Sequence, residues 1–472
     1  MVFASAMFLF LFFPLSFLGY ALINPKYRNA WLCLVSLFFY AWGGVQYLLV
    51  LLLSIFVNYL IGRALGCEGE KPKRKRRFYL WLGVVFNIGL LGFFKYFNFL
   101  TDTLCGLAGL WVPGFQLEVP KVPLPIGISF FTFQILSYVI DVYFGRVKPQ
   151  KSLLNLALYV ALFPQLIAGP IVRYIDVEKQ IAERSFTVDR VRLGLQRFVV
   201  GLGKKVILSN SMALLADFAF NDVNRLSFSV AWMGAIGYAL QIYFDFSAYS
   251  DMAIGMGKMF GFDFLENFNY PYISQSVKEF WRRWHISLSS WFRDYVYIPL
   301  GGNRKGKART YLNLLTVFFL TGLWHGASWT FILWGLFHGF FLIAERLGLS
   351  RILEKLPRFV RHMYTLVVVL VGWVFFRADT LSYALTYLKT MFTLDFSHFM
   401  RAFYLFDREI LVYFLLSILL SMPVSQWFKS WLGSKAPKAC EPMANLACIF
   451  LFFLSLVYVA GSNFNPFIYF IF

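Results

Sequence analysis

Charged side chains are scarce in this sequence: Asp, Glu, Lys and Arg make up 14% of its 472 residues, against about 25% in soluble domains. That excludes an ordinary aqueous enzyme fold. Acidic residues are scarcer than basic ones, 24 against 44, which leaves a formal charge of +20. The excess does not point to nucleic acid, because the basic residues fall in short clusters between apolar runs and no soluble face collects them. Cys33, Cys67, Cys105, Cys440 and Cys448 show neither CxxC nor Cys/His spacing, so no metal site is expected. No internal repeat or low-complexity linker is visible, and inverted repeats are frequent in transporters. A transporter is the remote alternative.

What is present is apolar. Hydrophobic residues make up 59% of the chain and aromatic ones 21%. With about 20 apolar residues needed per crossing, the sequence predicts an all-α, polytopic integral membrane protein with roughly ten or more transmembrane helices. The run 2–23 lacks a basic n-region and a small-residue cleavage site, so it reads as a retained first span. Further runs cover 31–42, 47–65, 78–100 and 125–144. Lys26 and Arg28, the cluster Lys71–Arg77, then Arg146, Lys148 and Lys151, the stretch 345–361, and finally Lys429, Lys435 and Lys438 mark one side. By the positive-inside rule that side is cytoplasmic and the N-terminus lies outside. The loops 101–122 (with Glu118) and 379–409 fall outside, as does the end of the last run, 444–460. The reading is one membrane-embedded domain: N-terminal spans 1–122, a core 123–345 and C-terminal spans 346–472.

The core breaks the simple pattern. Phe163-Pro164-Gln165 and Gly169-Pro170 interrupt one run, and the basic stretch 303–309 precedes a short one that ends at His325. Irregular backbone at membrane depth survives only when buried in protein or lining a watered cavity, so broken or re-entrant helices here predict a cavity. Ionisable groups within apolar runs are functional candidates. His362 and His398 lie in loops, which leaves His285, His325 and His338. On a helix, Ser328 and Trp329 would share the face of His325, whereas His338 would point about 220° away, so the two histidines are not expected to act together. Gly322 and Gly326 leave room beside His325 for a ligand or a close helix. Trp281 and Ser289 would flank His285 at i−4 and i+4, with Glu279 and Arg283 paired. Arg282, Arg283 and Arg293 suit an interfacial helix. Asp245 and Asp251 point about 120° apart on a helix and need partners, for which Arg282, Lys204 and Lys205 are available.

The runs LPIGISFFTFQILSYVIDVYFGR (124–146), FPQLIAGPIVRY (163–174), FDFSAYSDMAIGMGKMFGF (244–262), FWRRWHISLSSWFRDYVYIPLGGNRKG (280–306) and GLWHGASWTFILWGLFHG (322–339) resemble the membrane-bound O-acyltransferase family. Within it the chain is similar to the bacterial alginate O-acetyltransferase branch, from the Phe-rich N-terminus to FNPFIYFIF at 464–472. The resemblance implies a central tunnel through the bilayer. It implies His325 and His285 as the catalytic pair, with Trp324, Trp329, Ser328, Trp281, Ser289, Arg282, Asp245 and His338 binding substrate or supporting them. It further implies an acyl thioester donor from the cytoplasm, acetyl-CoA or an acyl-carrier protein, and no tightly bound cofactor. The expected acceptor is a polysaccharide, the expected partner a periplasmic or extracellular SGNH-type protein, and the expected location the bacterial inner membrane. Transfer of D-alanine toward teichoic acids is the alternative. Chemically, a neutral imidazole suits removal of a hydroxyl proton, which is the role expected of His325; His285, or an indole N–H beside it, could donate to the carbonyl oxygen.

Overall fold

The computed structural model describes residues 1–66, 69–112, 119–394, 400 and 407–461. Cys67, Glu118, His398 and the 464–472 run lie outside them. Among the described residues the regular structure is helical throughout, with no strand. Six helices are long and apolar enough to cross a membrane: Val45–Leu65, Lys73–Trp111, Val188–Phe220, Trp329–Glu354, Arg358–Arg377 and Glu441–Gly461. The bent pair Arg408–Leu420 and Val424–Leu432 would make seven. The protein is therefore an all-α, multi-pass membrane protein. Among the described residues this measure counts six or seven spans, and core runs such as Ile128–Tyr143 are too short to meet it. The first run is likewise helical only over Phe8–Leu22, less than the about 20 residues a crossing needs. Its rings turn inward, with Phe8 and Phe13 stacked on Phe198 and Phe12 edge-on to Phe163.

The middle of the molecule is the 32-residue helix Phe228–Met259, buried along most of its length. It packs closely on Val188–Gly203 because small residues repeat at both contact points. A Cβ on Gly194 would stand 2.5 Å from the Gly255 carbonyl, and one on Gly201 would stand 2.7 Å from that of Ala248. Without a hydrophobic drive between helices in lipid, such close backbone approach and interhelical polar contacts hold spans together. Here the polar contacts are ionic. Lys205 pairs with Asp245 at 2.6 Å, and Lys204 and Arg197 pair with Asp251 at 2.7 and 2.6 Å. The lysines expected to neutralise these carboxylates do so. Arg282 does not: it is exposed, since the Val277–Arg283 helix turns Phe280 and Trp281 inward.

Basic side chains in several loops bond to neighbouring segments. Arg184 donates to Asn29 at 2.7 Å, Arg76 to the Tyr143 carbonyl at 2.6 Å, Arg173 to Asp294 at 2.8 Å and Arg346 to Asn303 at 3.1 Å.

Candidate active site

His325 ends the helix Lys307–His325, because Gly326 leaves the helical region at φ −165°, ψ 152°. The chain turns through Ala327 and Ser328 into Trp329–Ala344. The two helices cross closely: a Cβ on Gly322 would run into the Phe331 carbonyl, and one on Gly335 into that of Phe318. The space beside His325 is thus filled by the returning helix, which settles what the flanking glycines are for. The imidazole is 2% exposed. Trp324, Trp334 and Phe376 stand edge-on to it, with ring centroids 5.0, 5.0 and 5.1 Å away.

His285 is not on a helix. It joins Val277–Arg283 to Ile286–Phe292 in the left-handed region, φ 44° and ψ 55°, a conformation uncommon for residues other than glycine. An extended segment holds it there. Asn269 N–H donates to the Arg283 carbonyl and Ile286 N–H to the Asn267 carbonyl, each at 2.9 Å. The Asn267 side chain completes the clamp. Its Oδ1 accepts from Ser287 Oγ at 2.9 Å and Ser287 N–H at 3.3 Å, and lies 3.1 Å from His285 Nδ1. Its Nδ2 donates to Ser250 Oγ at 3.0 Å. With Oδ1 serving as an acceptor, His285 carries its proton on Nδ1 and presents a lone pair at Nε2. The ring is edge-on to Phe246 at 4.6 Å and to Trp324 at 5.9 Å. Trp324 therefore touches both imidazoles.

The remaining sequence candidates divide sharply. Trp324 is at the centre. His338, 1% exposed, does join the cluster, because the helix break removes the 220° separation: Trp334 is edge-on to His325 at 5.0 Å and to His338 at 5.3 Å. Trp281 also belongs, 5.0 Å from His338, but not through a shared helical face with His285. Ser289 donates to the Trp281 carbonyl at 3.3 Å. Ser328 pairs with Thr330 at 2.7 Å, and Trp329 is 55% exposed and rests on Phe99. Neither shares a face with His325, since the helix has ended. Asp245 is committed to Lys205, and its neighbour Phe246 supplies the wall against His285. Arg282 is at the surface; Glu279 and Arg283 pair at 2.9 Å as the spacing predicts.

Residues not singled out from sequence complete the setting. Trp334 is wholly buried, and its Nε1 has no hydrogen-bond partner among the described residues; the same holds for Trp281 Nε1 and His338 Nδ1. Buried polar atoms normally find partners, and three such groups border this one cluster. A cavity of about 840 Å³ is lined by Lys204, Tyr243, Ser247, Asn267, Leu416 and Leu451, among others. Asn267 is part of its wall and His285 is not.

Two buried imidazoles at helix ends and unpartnered indole N–H groups on the adjoining helices form a buried polar cluster that a membrane enzyme could use here. The comparisons specify which kind. The profile of the membrane-bound O-acyltransferase family matches residues 148–382. The probable alginate O-acetylase AlgI of Pseudomonas aeruginosa is 45% identical over 453 residues, covering 93% of this chain and 84% of that protein. The peptidoglycan O-acetyltransferase of Helicobacter pylori is 40% identical, covering 84% and 80%. The teichoic acid D-alanyltransferase of Bacillus subtilis is 31% identical but covers 45% and 56%. The chain belongs to the membrane-bound O-acyltransferase family and is an O-acyltransferase.

Proposed function

We propose that the protein carries an acetyl group from a cytoplasmic thioester, acetyl-CoA or an acyl-carrier protein, toward O-acetylation of an exported or cell-wall polysaccharide. The observation that carries this reading is the placement of His285 and His325 on either side of Trp324, beside the unpartnered N–H of Trp334. The acceptor hydroxyl loses its proton to His325 as its oxygen bonds to the thioester carbonyl carbon. Trp334 Nε1–H donates to the oxyanion that forms. The C–S bond then breaks and the thiolate leaves, taking a proton. His285 Nε2, fixed by Asn267, accepts a hydrogen bond from the acceptor or donor and orients it. This departs from the role the sequence suggested for His285, since a neutral ring protonated at Nδ1 has no N–H at Nε2 to offer an oxyanion.

The protein sits in the bacterial inner membrane with its N-terminus outside, and an SGNH-type protein beyond the membrane finishes delivery to the polymer. Relatives named for alginate and peptidoglycan acetylation over most of the chain support acetyl over D-alanyl transfer.

The test is polymer-bound acetate in cells carrying single variants at matched protein level. His325→Ala abolishes it with membrane insertion intact. His285→Asn, which keeps a hydrogen-bonding group, leaves measurable turnover. Near-normal acetate without His325 refutes the assignment, and complete loss in both variants refutes the division of labour.

A further inference from the structure

The helix Lys73–Trp111 contains a lysine the reaction scheme does not use. Lys95 is 8% exposed within an apolar span, where an ammonium is costly unless its three N–H groups are satisfied. They are. Lys95 Nζ donates to the Trp324 carbonyl, to the His325 carbonyl at 3.3 Å and to Ser129 Oγ at 3.1 Å. Its neighbour Tyr96 donates through its hydroxyl to the Leu323 carbonyl at 2.6 Å.

A helix leaves its last four carbonyls without intrahelical partners, and at membrane depth no bulk water replaces them. The end of Lys307–His325 can be accounted for completely. The Gly322 carbonyl takes Gly326 N–H at 3.2 Å. Those of Leu323, Trp324 and His325 are taken by Tyr96 and Lys95. The cation also lies where the helix dipole favours positive charge, and 5.8 Å from the centre of the Trp324 ring. No local capping residue could serve, because Gly326 has no side chain.

We propose that Lys95, assisted by Tyr96, is a positioning residue for acyl transfer: a cap supplied by another helix that fixes the backbone of Trp324 and His325, and with it the His325 imidazole. Lys95 does not touch the reacting atoms. It acts by holding the base in register with the acyl carbon, where a displacement of about 1 Å can lower the rate about 100-fold. The inference rests on His325 as proton acceptor.

The experiment uses the full chain in nanodiscs with radiolabelled acetyl donor, measuring kcat and KM beside the melting temperature. Lys95→Met keeps the apolar stem and removes the donors. It is expected to lower kcat about 10–100-fold with KM for the donor within about twofold. Lys95→Arg, which keeps a cation and N–H donors, recovers at least about fivefold of that loss. Tyr96→Phe lowers kcat about threefold, the effect of losing one hydrogen bond. A Lys95→Met protein that melts lower but keeps kcat within about twofold has lost only structure and overturns the proposal, as does a change confined to KM. Should Lys95→Met fail to yield monodisperse protein, Tyr96→Phe decides, and an unchanged kcat there overturns it. His325→Ala is run in parallel: transfer persisting in that variant refutes the base assignment, whereas transfer lost there but intact in Lys95→Met refutes the cap alone.

Discussion

Replacing Trp334 by Phe separates a wall from a donor. The indole is wholly buried and touches Trp281, His325, His338 and Phe376, with centroids 5.6, 5.0, 5.3 and 5.1 Å away. Trp334→Phe keeps an aromatic ring and deletes the five-membered ring with its N–H. That N–H has no partner among the described residues, so its removal orphans no acceptor in the resting protein. The stability cost is that of a void smaller than those left by Trp→Ala, about 1–3 kcal/mol. The effect on rate is of another size. Loss of one oxyanion donor costs about 10²–10³ in kcat, or about 2.7–4 kcal/mol of transition-state stabilisation, and leaves KM nearly unchanged because the charge exists only in the transition state. The assay is the initial rate of acyl transfer at saturating donor on purified protein, with the melting curve recorded on the same sample. Trp281→Phe makes the same chemical change on the ring 5.0 Å from His338, so comparing the two rates tells which unpartnered indole serves the oxyanion. A Trp334→Phe enzyme within about fivefold of wild-type kcat would show that the indole only packs, and the oxyanion would need another donor.

Two further outcomes follow from charge. Lys205→Met strands Asp245, 1% exposed at the side chain, from its 2.6 Å partner; breaking one side of a buried pair costs about 3–5 kcal/mol, so folded protein should fall sharply in detergent-resistant yield, and Lys205→Met combined with Asp245→Leu should recover it. Recovery failing while Lys205→Met alone folds normally would mean that the pair carries no stability. In a background without the native cysteines, single cysteines at Lys73 and Gly306 should resist an impermeant thiol reagent in intact cells, and labelling at either position reverses the orientation.

Hydropathy and charge placement made the membrane class legible, because those properties are additive along the chain. Asp245 and Asp251 were legible as ion-paired for a similar reason: a carboxylate in an apolar run demands a cation, and Lys204 and Lys205, though 40 and more residues away, were among the few basic residues available. The geometry around the histidines was not. Placing Ser328 and Trp329 with His325, or Trp281 and Ser289 with His285, assumed continuous helices, and both imidazoles instead sit where helices stop. The break after His325 is made by Gly326 in an extended conformation, yet Gly322, Gly335 and Gly339 in the same region stay helical and serve close crossing. Glycine alone does not say which use applies. Lys95 was not singled out at all, because its acceptors lie 34, 229 and 230 residues away.

A common physical cause places the two histidines where they are. A helix break in the membrane interior frees a side chain from the helical face, but it also leaves backbone groups that lipid cannot satisfy. Each break is therefore closed from another element. Asn267 supplies its backbone carbonyl and amide oxygen to Ile286 and Ser287 at the His285 turn; Lys95 and Tyr96 supply donors to the last carbonyls at the His325 end. The signs are opposite because the helix ends are opposite: His285 precedes an N-terminus, whose orphan groups are N–H, and His325 closes a C-terminus, whose orphan groups are C=O. The same contacts that satisfy the backbone also fix each ring, directly through Nδ1 for His285 and through the peptide for His325. Substitution at Asn267 or Lys95 thus acts on an imidazole it leaves chemically intact, which is why the rate, rather than the amount of folded protein, is the quantity to measure there.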